Sequence, residues 1–262
     1  LMKKFFVIGN PIKHSLSPEL HSFWINENKI SASYEKKLLD KEGVKEIIKD
    51  LKNNLIEGLN VTVPYKNLVI QYLDELTPEA KRTQSVNTVY MRDKKIVGHN
   101  TDIAGFELAM RYAKYDVSGK KVLIIGAGGV APSIIHALLK MKCNEICIMN
   151  RTKEKAEEIK KTFNQIHVEN WGEKVDFDLI INTTSVGLKN DELNLDLNVT
   201  NKMFFDLIYN PTKTPFLYKA EKNGNRIENG LMMFIYQAHQ SFVIWNKVIP
   251  KIDNKIINLL SK

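Results

Sequence analysis

Short apolar runs rich in β-forming residues alternate with helical patterns along almost the whole chain. This alternation of two periods is the main signal of secondary structure in a single sequence. Strands are predicted at 3–9, 34–39, 58–63, 145–150, 176–185 and 203–209, with a hairpin at 87–99 and a strand, glycine turn and helix within 120–141. Helices are predicted at 17–28, 41–53, 64–76, 100–113, 152–163, 214–224 and 230–249.

Strands that alternate with helices indicate an α/β fold, in which crossover helices connect the parallel strands of a sheet. The 262 residues suffice for one large domain or two modest ones, at roughly 100–200 residues per domain. The helix at 100–113 is placed to bridge two lobes. We therefore expect a second lobe to begin near residue 103.

The charge of the chain changes this picture little. Lysine and arginine number 38 against 30 acidic residues, which gives a formal net charge of +8. Such an excess suits an acidic small ligand or nucleic acid, and equally a lysine-rich solvated surface. The sequence carries neither a long basic run nor a nucleic-acid module motif, so we expect no nucleic-acid partner.

The cysteines and apolar segments bear on location. Cys143 and Cys147 have no companions for a zinc site, so we expect reduced thiols, no metal and a cytoplasmic protein. The apolar run FFVI near the start is too short for the core of a signal peptide. No apolar stretch approaches the ~18 residues of a transmembrane helix, so we expect no membrane association.

A glycine-rich turn, Gly126-Ala127-Gly128-Gly129, follows the apolar strand VLII and precedes Val130 and a helix. Glycines let the backbone approach a pyrophosphate, and the helix start offers free N–H groups. The third glycine of the usual fingerprint is replaced by Ala131. The strand–turn–helix context favours nucleotide binding over a purely structural turn.

The next strand ends in Asn150-Arg151-Thr152, with Lys155 shortly after. NAD enzymes usually place an acid here to hold the ribose hydroxyl. An arginine instead can bind a 2′-phosphate through two parallel hydrogen bonds. The loop therefore favours NADP over NAD. A solvated basic loop capped by Thr152 is the alternative, and both readings can hold together.

A second set of polar residues lies in the first lobe. Ser15 and Ser17 are two positions apart and can face one side, or can simply cap a helix. In NVTVPYK, Lys66 follows a strand and falls in the first turn of the predicted helix, where the helix dipole disfavours a cation. A local rule broken at a strand end suggests function. Asp102 either stabilises a helix start or pairs with Lys66, and spacing does not decide between these.

Taken together, these stretches resemble the shikimate dehydrogenase family. The resemblance covers almost the whole chain in order, through GNPIKHSLSP, NVTVPYK, SVNTV, GHNTD, GAGG, NRT, NTTSVG, FDLIYNP and Gln237 in the terminal helix. It implies an N-terminal, mostly parallel α/β substrate domain at 1–102, to which helices in 231–262 return. It also implies a Rossmann-type NADP-binding domain at 103–230.

The resemblance implies the reversible reduction of 3-dehydroshikimate to shikimate with NADPH, a step of the shikimate pathway toward aromatic amino acids. Ser15 and Ser17 would bind the substrate carboxylate, with Tyr209 nearby. The ring hydroxyls would be held by Thr62, Lys66, Asn87, Asp102 and Gln237. The cofactor would be bound by Gly126, Ala127, Gly128, Gly129 and Val130 at the pyrophosphate, Asn150, Arg151, Thr152 and Lys155 at the adenosine 2′-phosphate, and Leu207 and Gly230 near the nicotinamide.

Within this resemblance, Lys66 and Asp102 are the expected catalytic residues. Hydride delivery to a ketone develops negative charge on oxygen, and an ammonium group can stabilise that charge and supply the proton. Two rivals stay open: a quinate/shikimate dehydrogenase with broader substrate or NAD use, and a non-catalytic nucleotide-sensing module. A monomer or a homodimer is expected.

Overall fold

The computed structural model describes residues 2–261, whose contacts divide them into two compact units. Unit 1 contains the described residues up to Gly105 and those from Ile235 onward, and unit 2 is Phe106–Phe234. The chain passes from one unit to the other within two helices, α4 (Asp102–Tyr112) and α8 (Leu231–Asn246). Among the described residues, no helix has the length and apolar character needed to cross a membrane.

Unit 1 is built on a six-stranded sheet. Its strands are β1 (Lys3–Gly9), β2 (Ala32–Leu38), β3 (Gly58–Val61), β4 (Glu75–Leu76), β5 (Thr88–Arg92) and β6 (Lys95–His99), in the order β2-β1-β3-β5-β6-β4. β1 pairs in parallel with β2 and β3, and β4 with β6, whereas β5 runs antiparallel to both neighbours. The sheet is therefore mixed. The predicted hairpin is present, and it turns through Asp93 and Lys94, both at positive φ.

The helices of unit 1 are α1 (Ser17–Glu27), α2 (Lys41–Lys52), the short α3 (Pro78–Thr83) and α9 (Asn254–Leu260), joined by the unit 1 parts of α4 and α8. Asp40 caps α2 by accepting a hydrogen bond from the Gly43 N–H at 2.8 Å. Val44, Ile47 and Leu51 of α2 pack against Leu59 and the other apolar residues of the sheet. The same core includes Val61 at the end of β3 and Val89 of β5. The polar residues Thr62 and Asn87 lie directly beside these two strands in sequence.

Unit 2 is a doubly wound parallel sheet. Its strands are β7 (Lys121–Ile125), β8 (Glu145–Met149), β9 (His167–Glu169), β10 (Leu179–Asn182), β11 (Met203–Asp206) and β12 (Arg226–Glu228), in the order β12-β11-β10-β7-β8-β9. Every neighbouring pair is parallel. Read from β9, this is the 3-2-1-4-5-6 order of dinucleotide-binding folds, whose ligands lie where the order reverses, between β7 and β10.

The helices of unit 2 are α5 (Ala131–Lys140), α6 (Lys153–Thr162) and α7 (Pro215–Lys222), beside the unit 2 parts of α4 and α8. The chain between β10 and β11 follows an irregular path, and its Leu193, Leu195, Leu197 and Val199 pack against the apolar core around Leu123, Phe177 and Phe204. The predicted α/β fold class is confirmed.

The predicted helix at 64–76 is wrong. This stretch holds only a 3₁₀ helix, Leu68–Tyr72, followed by β4. The Asp74 N–H donates to the Ile96 carbonyl at 2.9 Å, and the Asp74 carboxylate accepts from the Ile96 N–H at 2.8 Å. Pairing with β6 thus competes successfully with the helical periodicity that Leu68, Tyr72 and Leu76 display. Lys66 consequently lies in a turn and not in a helix.

Candidate active site

Lys66 and Asp102 form a buried ion pair in unit 1. Lys66 Nζ lies 2.6 Å from Asp102 Oδ2, and the two residues are 8% and 5% exposed. Removing two charges from water is costly, and only good geometry and further hydrogen bonds offset that cost. The predicted alternatives for Asp102 both hold, because it is also the first residue of α4, where the helix dipole favours an anion.

The backbone around Lys66 is fixed from several sides. Its carbonyl accepts the Val86 N–H at 2.8 Å, and the neighbouring Tyr65 N–H donates to the Thr62 carbonyl at 2.9 Å. The Tyr65 side chain is buried, and its hydroxyl donates to the Leu39 carbonyl at 2.6 Å. The tyrosine of NVTVPYK therefore anchors the turn that presents the lysine.

Asn100 fixes the start of α4. Its Oδ1 accepts the Asp102 N–H at 3.0 Å, while its Nδ2 donates to the Ser85 carbonyl at 2.9 Å. A side chain that accepts a hydrogen bond from the backbone two residues on is typical of a helix start. Asn100 thus fixes the end of α4 from which the Asp102 carboxylate contacts Lys66.

Asn87 links the ion pair to two further polar groups. Its Nδ2 lies 3.0 Å from Asp102 Oδ1, 2.8 Å from Thr101 Oγ1 and 3.3 Å from Gln237 Oε1. The Thr101 N–H donates to Asn87 Oδ1 at 2.8 Å. Four of the predicted residues, Lys66, Asn87, Asp102 and Gln237, therefore lie in one continuous network, although they are far apart in sequence.

The serine pair lies at the start of α1. The hydroxyls of Ser15 and Ser17 are 3.2 Å apart, so they do face one side. The alternative reading, Ser17 as the helix cap, is wrong: α1 begins at Ser17 itself, with Leu16 at the cap position. The Ser17 N–H, at the start of the helix, donates to Ser15 Oγ at 3.3 Å. The serine oxygen that accepts a hydrogen bond from the helix start therefore belongs to Ser15. Thr62 is half-buried after β3, and its N–H donates to the Ile8 carbonyl.

Sequence reasoning missed a layer of polar residues behind Asn87. Asn60 Nδ2 lies 3.0 Å from the Asn87 carbonyl and 3.0 Å from Ser241 Oγ, and Thr88 Oγ1 lies 2.7 Å from Ser241 Oγ. Tyr34 donates its hydroxyl to Asn60 Oδ1 at 2.7 Å. The sequence did offer a signal for part of this layer, because Asn60 and Thr88 are polar residues next to apolar ones in stretches predicted as strand.

His21 completes this layer without taking part in its hydrogen bonds. Its ring stacks on that of Tyr34 at 4.1 Å. Burial lowers the pKa of His21 to about 3, so the imidazole is neutral at physiological pH.

Within residues 2–261, no cluster of three or more His, Cys, Asp or Glu could hold a metal ion.

In unit 2, the glycine turn follows β7 at the reversal of strand order. Gly126 has φ +108°, and a Cβ there would lie 2.6 Å from Thr183 Oγ1. The Ala127 N–H donates to Asn150 Oδ1 at 3.1 Å, and Asn150 Nδ2 donates to the Thr152 carbonyl at 2.7 Å. Asn150 thus ties the glycine turn to the basic loop after β8.

The turn fits a dinucleotide phosphate. A Cβ at Gly128 would meet no described heavy atom within 4 Å, so packing of the chain does not demand glycine there. Bare backbone at an exposed helix start suits the close approach of a phosphate. Gly129 is exposed as well, and Val130 is the cap residue of α5. Pro132 in the first turn of α5 removes no helical hydrogen bond.

The basic loop is exposed at Arg151, Thr152 and Lys155. Thr152 is the cap residue of α6, so phosphate oxygens near this loop would also meet a helix start. Lys153 is engaged elsewhere, since its Nζ donates to Asn170 Oδ1 at 2.7 Å. The guanidinium of Arg151 and the ammonium of Lys155 are the cations that could hold a 2′-phosphate here.

Leu207 and Gly230 touch through their backbones. A Cβ at Gly230 would lie 2.0 Å from the Leu207 carbonyl oxygen, so only glycine fits. The Gly230 N–H donates to the Ile208 carbonyl at 3.1 Å. Tyr209, also in unit 2, stacks its ring on Phe234 with centroids 4.3 Å apart.

Comparisons with known proteins extend over both units. The family model for the shikimate dehydrogenase substrate-binding domain matches residues 7–89, and the model for shikimate/quinate 5-dehydrogenase matches residues 107–190. The NADP(+) shikimate dehydrogenase of Pelagibacter ubique is 52% identical over 99% of both chains.

Solved structures agree with this similarity. Shikimate dehydrogenase from Aquifex aeolicus superposes with a TM-score of 0.91 at 33% identity, over 100% of this chain and 98% of that one. Shikimate 5-dehydrogenase from Listeria monocytogenes, solved with shikimate and NAD, gives 0.88 at 29% identity, over 99% and 96%. With this similarity over nearly its full length, added to its glycine turn and buried lysine–aspartate pair, the chain belongs to the shikimate dehydrogenase family.

Proposed function

We propose that this chain catalyses the reversible NADP-dependent reduction of 3-dehydroshikimate to shikimate, in the shikimate pathway. The observation that carries the proposal is the buried Lys66–Asp102 pair, joined through Asn87 to Gln237. A buried ion pair is seldom a gain in stability, so its presence in a polar network suggests chemistry. The name of the relative from Pelagibacter ubique supports the same reaction and cofactor.

We assign the substrate contacts as follows. Ser15 and Ser17 bind the carboxylate, a role that their hydroxyls, 3.2 Å apart, support. Tyr209 of unit 2 remains a proposed substrate-binding residue. Thr62, Lys66, Asn87, Asp102 and Gln237 hold the ring oxygens. Amide and carboxylate groups at fixed distances can discriminate hydroxyl positions, because a mismatched substrate leaves buried polar groups unpaired.

Lys66 acts as the general acid in the direction of ketone reduction. When bound, NADPH supplies the hydride that adds to the carbonyl carbon. The Lys66 ammonium donates a proton to the carbonyl oxygen as negative charge develops there. Asp102 orients the ammonium and accepts a hydrogen bond from the neighbouring hydroxyl. In the reverse direction, Lys66 removes the hydroxyl proton of shikimate.

We assign the cofactor contacts to unit 2. Gly126, Ala127, Gly128, Gly129 and Val130 hold the pyrophosphate through backbone N–H groups at the start of α5. Arg151, Thr152 and Lys155 hold the 2′-phosphate, with Asn150 joining this loop to the glycine turn. Leu207 and Gly230 flank the nicotinamide. The proposed functional division is a substrate domain at 1–102 with 231–262 and a cofactor domain at 103–230.

Cellular setting and assembly are part of the proposal. Burial raises the pKa of Cys143 to about 11 and that of Cys147 to about 12, so both are unreactive thiols at neutral pH. Both are free, which suits a reducing cytoplasm. The expected monomer or homodimer can be distinguished by analytical ultracentrifugation.

The deciding experiment follows the absorbance of reduced nicotinamide with shikimate or quinate and either NADP⁺ or NAD⁺. We expect turnover with shikimate and NADP⁺. Comparable turnover with quinate or NAD⁺ would favour a quinate/shikimate dehydrogenase. Calorimetric binding of NADPH without turnover of any substrate would favour a nucleotide sensor and refute the proposed reaction.

A further inference from the structure

Asp206, at the carboxyl end of β11, is a fully buried acid outside the contacts assigned above. Three donors surround it. Its Oδ1 accepts the Ile208 N–H and the Asn182 side-chain amide, each at 3.1 Å, and its Oδ2 accepts the Thr214 hydroxyl at 2.6 Å. A carboxylate only accepts hydrogen bonds, so three donors match it well.

The Asn182 contact leads to the loop after β10. Asn182 Oδ1 accepts the N–H and the hydroxyl of Thr184, at 3.0 and 2.7 Å. The hydroxyl of Thr183 lies 2.9 Å from the Ile125 carbonyl and 3.1 Å from that of Gly126. The Thr183–Thr184 segment is therefore held by the glycine turn on one side and, through Asn182, by Asp206 on the other.

The other two contacts lead to the backbone after β11. Ile208, whose N–H binds Asp206, accepts the Gly230 N–H on its carbonyl, and Gly230 is in close contact with Leu207. Thr214 caps α7 and would be only 3.1 Å from a Cβ on Gly187. One carboxyl group thus connects segments that the motifs NTTSVG and FDLIYNP supply.

We infer that Asp206 is a positioning residue for the nicotinamide end of the cofactor site. It holds the Leu207–Ile208 backbone, and with it Gly230, at a fixed place beside the Thr183–Thr184 loop. This inference rests on the proposed function, because that function assigns Leu207 and Gly230 to the nicotinamide. The adenine end, at Arg151, depends on Asn150 and the glycine turn instead.

The burial of Asp206 supports a role beyond packing. Burial raises its pKa to about 6, against the opposing effect of the hydrogen bonds from Thr214, Ile208 and Asn182. A buried acid lowers stability relative to a well-packed apolar group, so its presence at a strand end next to a ligand site suggests that orientation is what it contributes.

The test compares two ligands on each variant by calorimetry. NADPH occupies the whole site, whereas adenosine 2′,5′-bisphosphate occupies only the adenine end. For Asp206→Ala we expect NADPH binding to weaken roughly 10- to 100-fold, by analogy with the loss typical when the partners that orient metal ligands are removed. Binding of the bisphosphate should stay unchanged, which also shows that the variant is folded.

Two further variants make the test specific. Asp206→Asn keeps an acceptor for Ile208 and Asn182, with an amide facing Thr214, so it should restore most NADPH affinity. Asp196→Asn is the matched control at an exposed site and should bind both ligands normally. If Asp206→Ala does not fold, Thr214→Val decides, because it removes one of the three donors and should weaken NADPH selectively.

Equal losses for both ligands, or no loss for either, would overturn the inference. If the wild-type protein binds neither ligand, the proposed function fails first and the inference fails with it. If the wild type turns over shikimate, binds both ligands, and only the NADPH affinity of Asp206→Ala and Thr214→Val falls, both stand.

Discussion

Lys66 is buried together with its counter-ion, a combination with little stabilising value of its own. Lys66→Met keeps much of the apolar stem but removes the ammonium. We expect kcat to fall by about 10²–10⁴, the usual contribution of general acid–base catalysis, with shikimate and NADP still bound. Steady-state kinetics beside calorimetric binding of shikimate gives the measurement. A kcat near that of wild type in Lys66→Met would exclude a catalytic lysine. Lys66→Arg should restore little of the lost kcat, because the guanidinium stays protonated and cannot give up its proton.

Variants of Lys66 and Asp102 should change folding stability and kcat in different ways. Lys66→Met leaves the Asp102 carboxylate buried without its cation, so we expect lower stability as well as lower kcat. The double variant Lys66→Met/Asp102→Asn removes the remaining charge and should regain stability while staying inactive. Its loss in kcat should be smaller than the product of the two single losses, because the residues act as one unit. Chemical denaturation of the three variants, set beside their kcat values, tests this; recovery of activity together with stability would contradict it.

Arg151 decides the cofactor preference on our assignment. Arg151→Ala should weaken NADP binding far more than NAD binding, because the 2′-phosphate is what the guanidinium contacts. A charged hydrogen-bonded contact is worth roughly 1.5–3 kcal/mol, or about 10- to 150-fold in affinity. Dissociation constants for both cofactors are the readout. Lys153→Ala is the matched control, since that neighbouring lysine is bonded to Asn170. Equal losses of affinity for NADP and NAD would show that Arg151 does not contact the 2′-phosphate.

At the scale of elements, local signals predicted β7, the glycine turn and α5 correctly, because strand, turn and helix follow one another within some twenty residues. The segment after β3 was mispredicted as a helix, since its competitor, pairing with β6, involves residues far along the chain. The contact of Lys66 with Asp102 joins residues 36 positions apart. Spacing alone left this contact open, and for the same reason it could not show that Asn60, Thr88 and Ser241 meet in one layer.

The start of α1 offers a prediction at this scale. Ser15→Ala/Ser17→Ala removes both hydroxyls, while the Leu16 and Ser17 backbone can still begin the helix. If the serines bind the substrate carboxylate, KM for shikimate should rise strongly and affinity for NADP should hardly change. Kinetics with shikimate and binding of NADP are measured together. A variant that loses only thermal stability would mean that the hydroxyls stabilise the start of α1, where Ser15 Oγ accepts the Ser17 N–H, and do not bind substrate.

At the scale of the whole molecule, the alternation of strands and helices predicted the α/β class, and the reversed strand order around β7 agrees with the Rossmann-type fold expected from the family resemblance. The order of strands in unit 1 was beyond sequence reasoning, because it depends on which edges pair after long connections. The buried network around Asp206 was beyond it too. Nothing in FDLIYNP distinguishes a buried carboxylate from an exposed one.

That carboxylate should make stability depend on pH. The pKa of Asp206 rises from 3.8 to about 6 on folding, through burial, and the groups that contact it are neutral. The folded state therefore keeps the proton between these values while the unfolded state releases it, so stability falls as pH rises from about 4 to 6 and is flat above. The fall amounts to roughly 3 kcal/mol. Asp206→Asn cannot titrate, and the advantage of wild type over this variant should shrink by that amount across the window.

Hydrogen exchange of peptides from β10 and β11, corrected for the intrinsic pH dependence of exchange, measures this difference in unit 2. Asp191→Asn is the contrasting control. The backbone N–H of Gly187, with that of Lys189, holds the pKa of Asp191 below its usual value, so its contribution to stability is lost only as pH falls below about 4. The difference between wild type and Asp191→Asn should therefore stay flat from about pH 5 to 8. If the difference between wild type and Asp206→Asn stays constant from pH 4 to 8, Asp206 titrates normally. Burying this carboxyl group would then cost the protein no stability. The positioning role inferred for Asp206 would lose the support that it draws from such a cost.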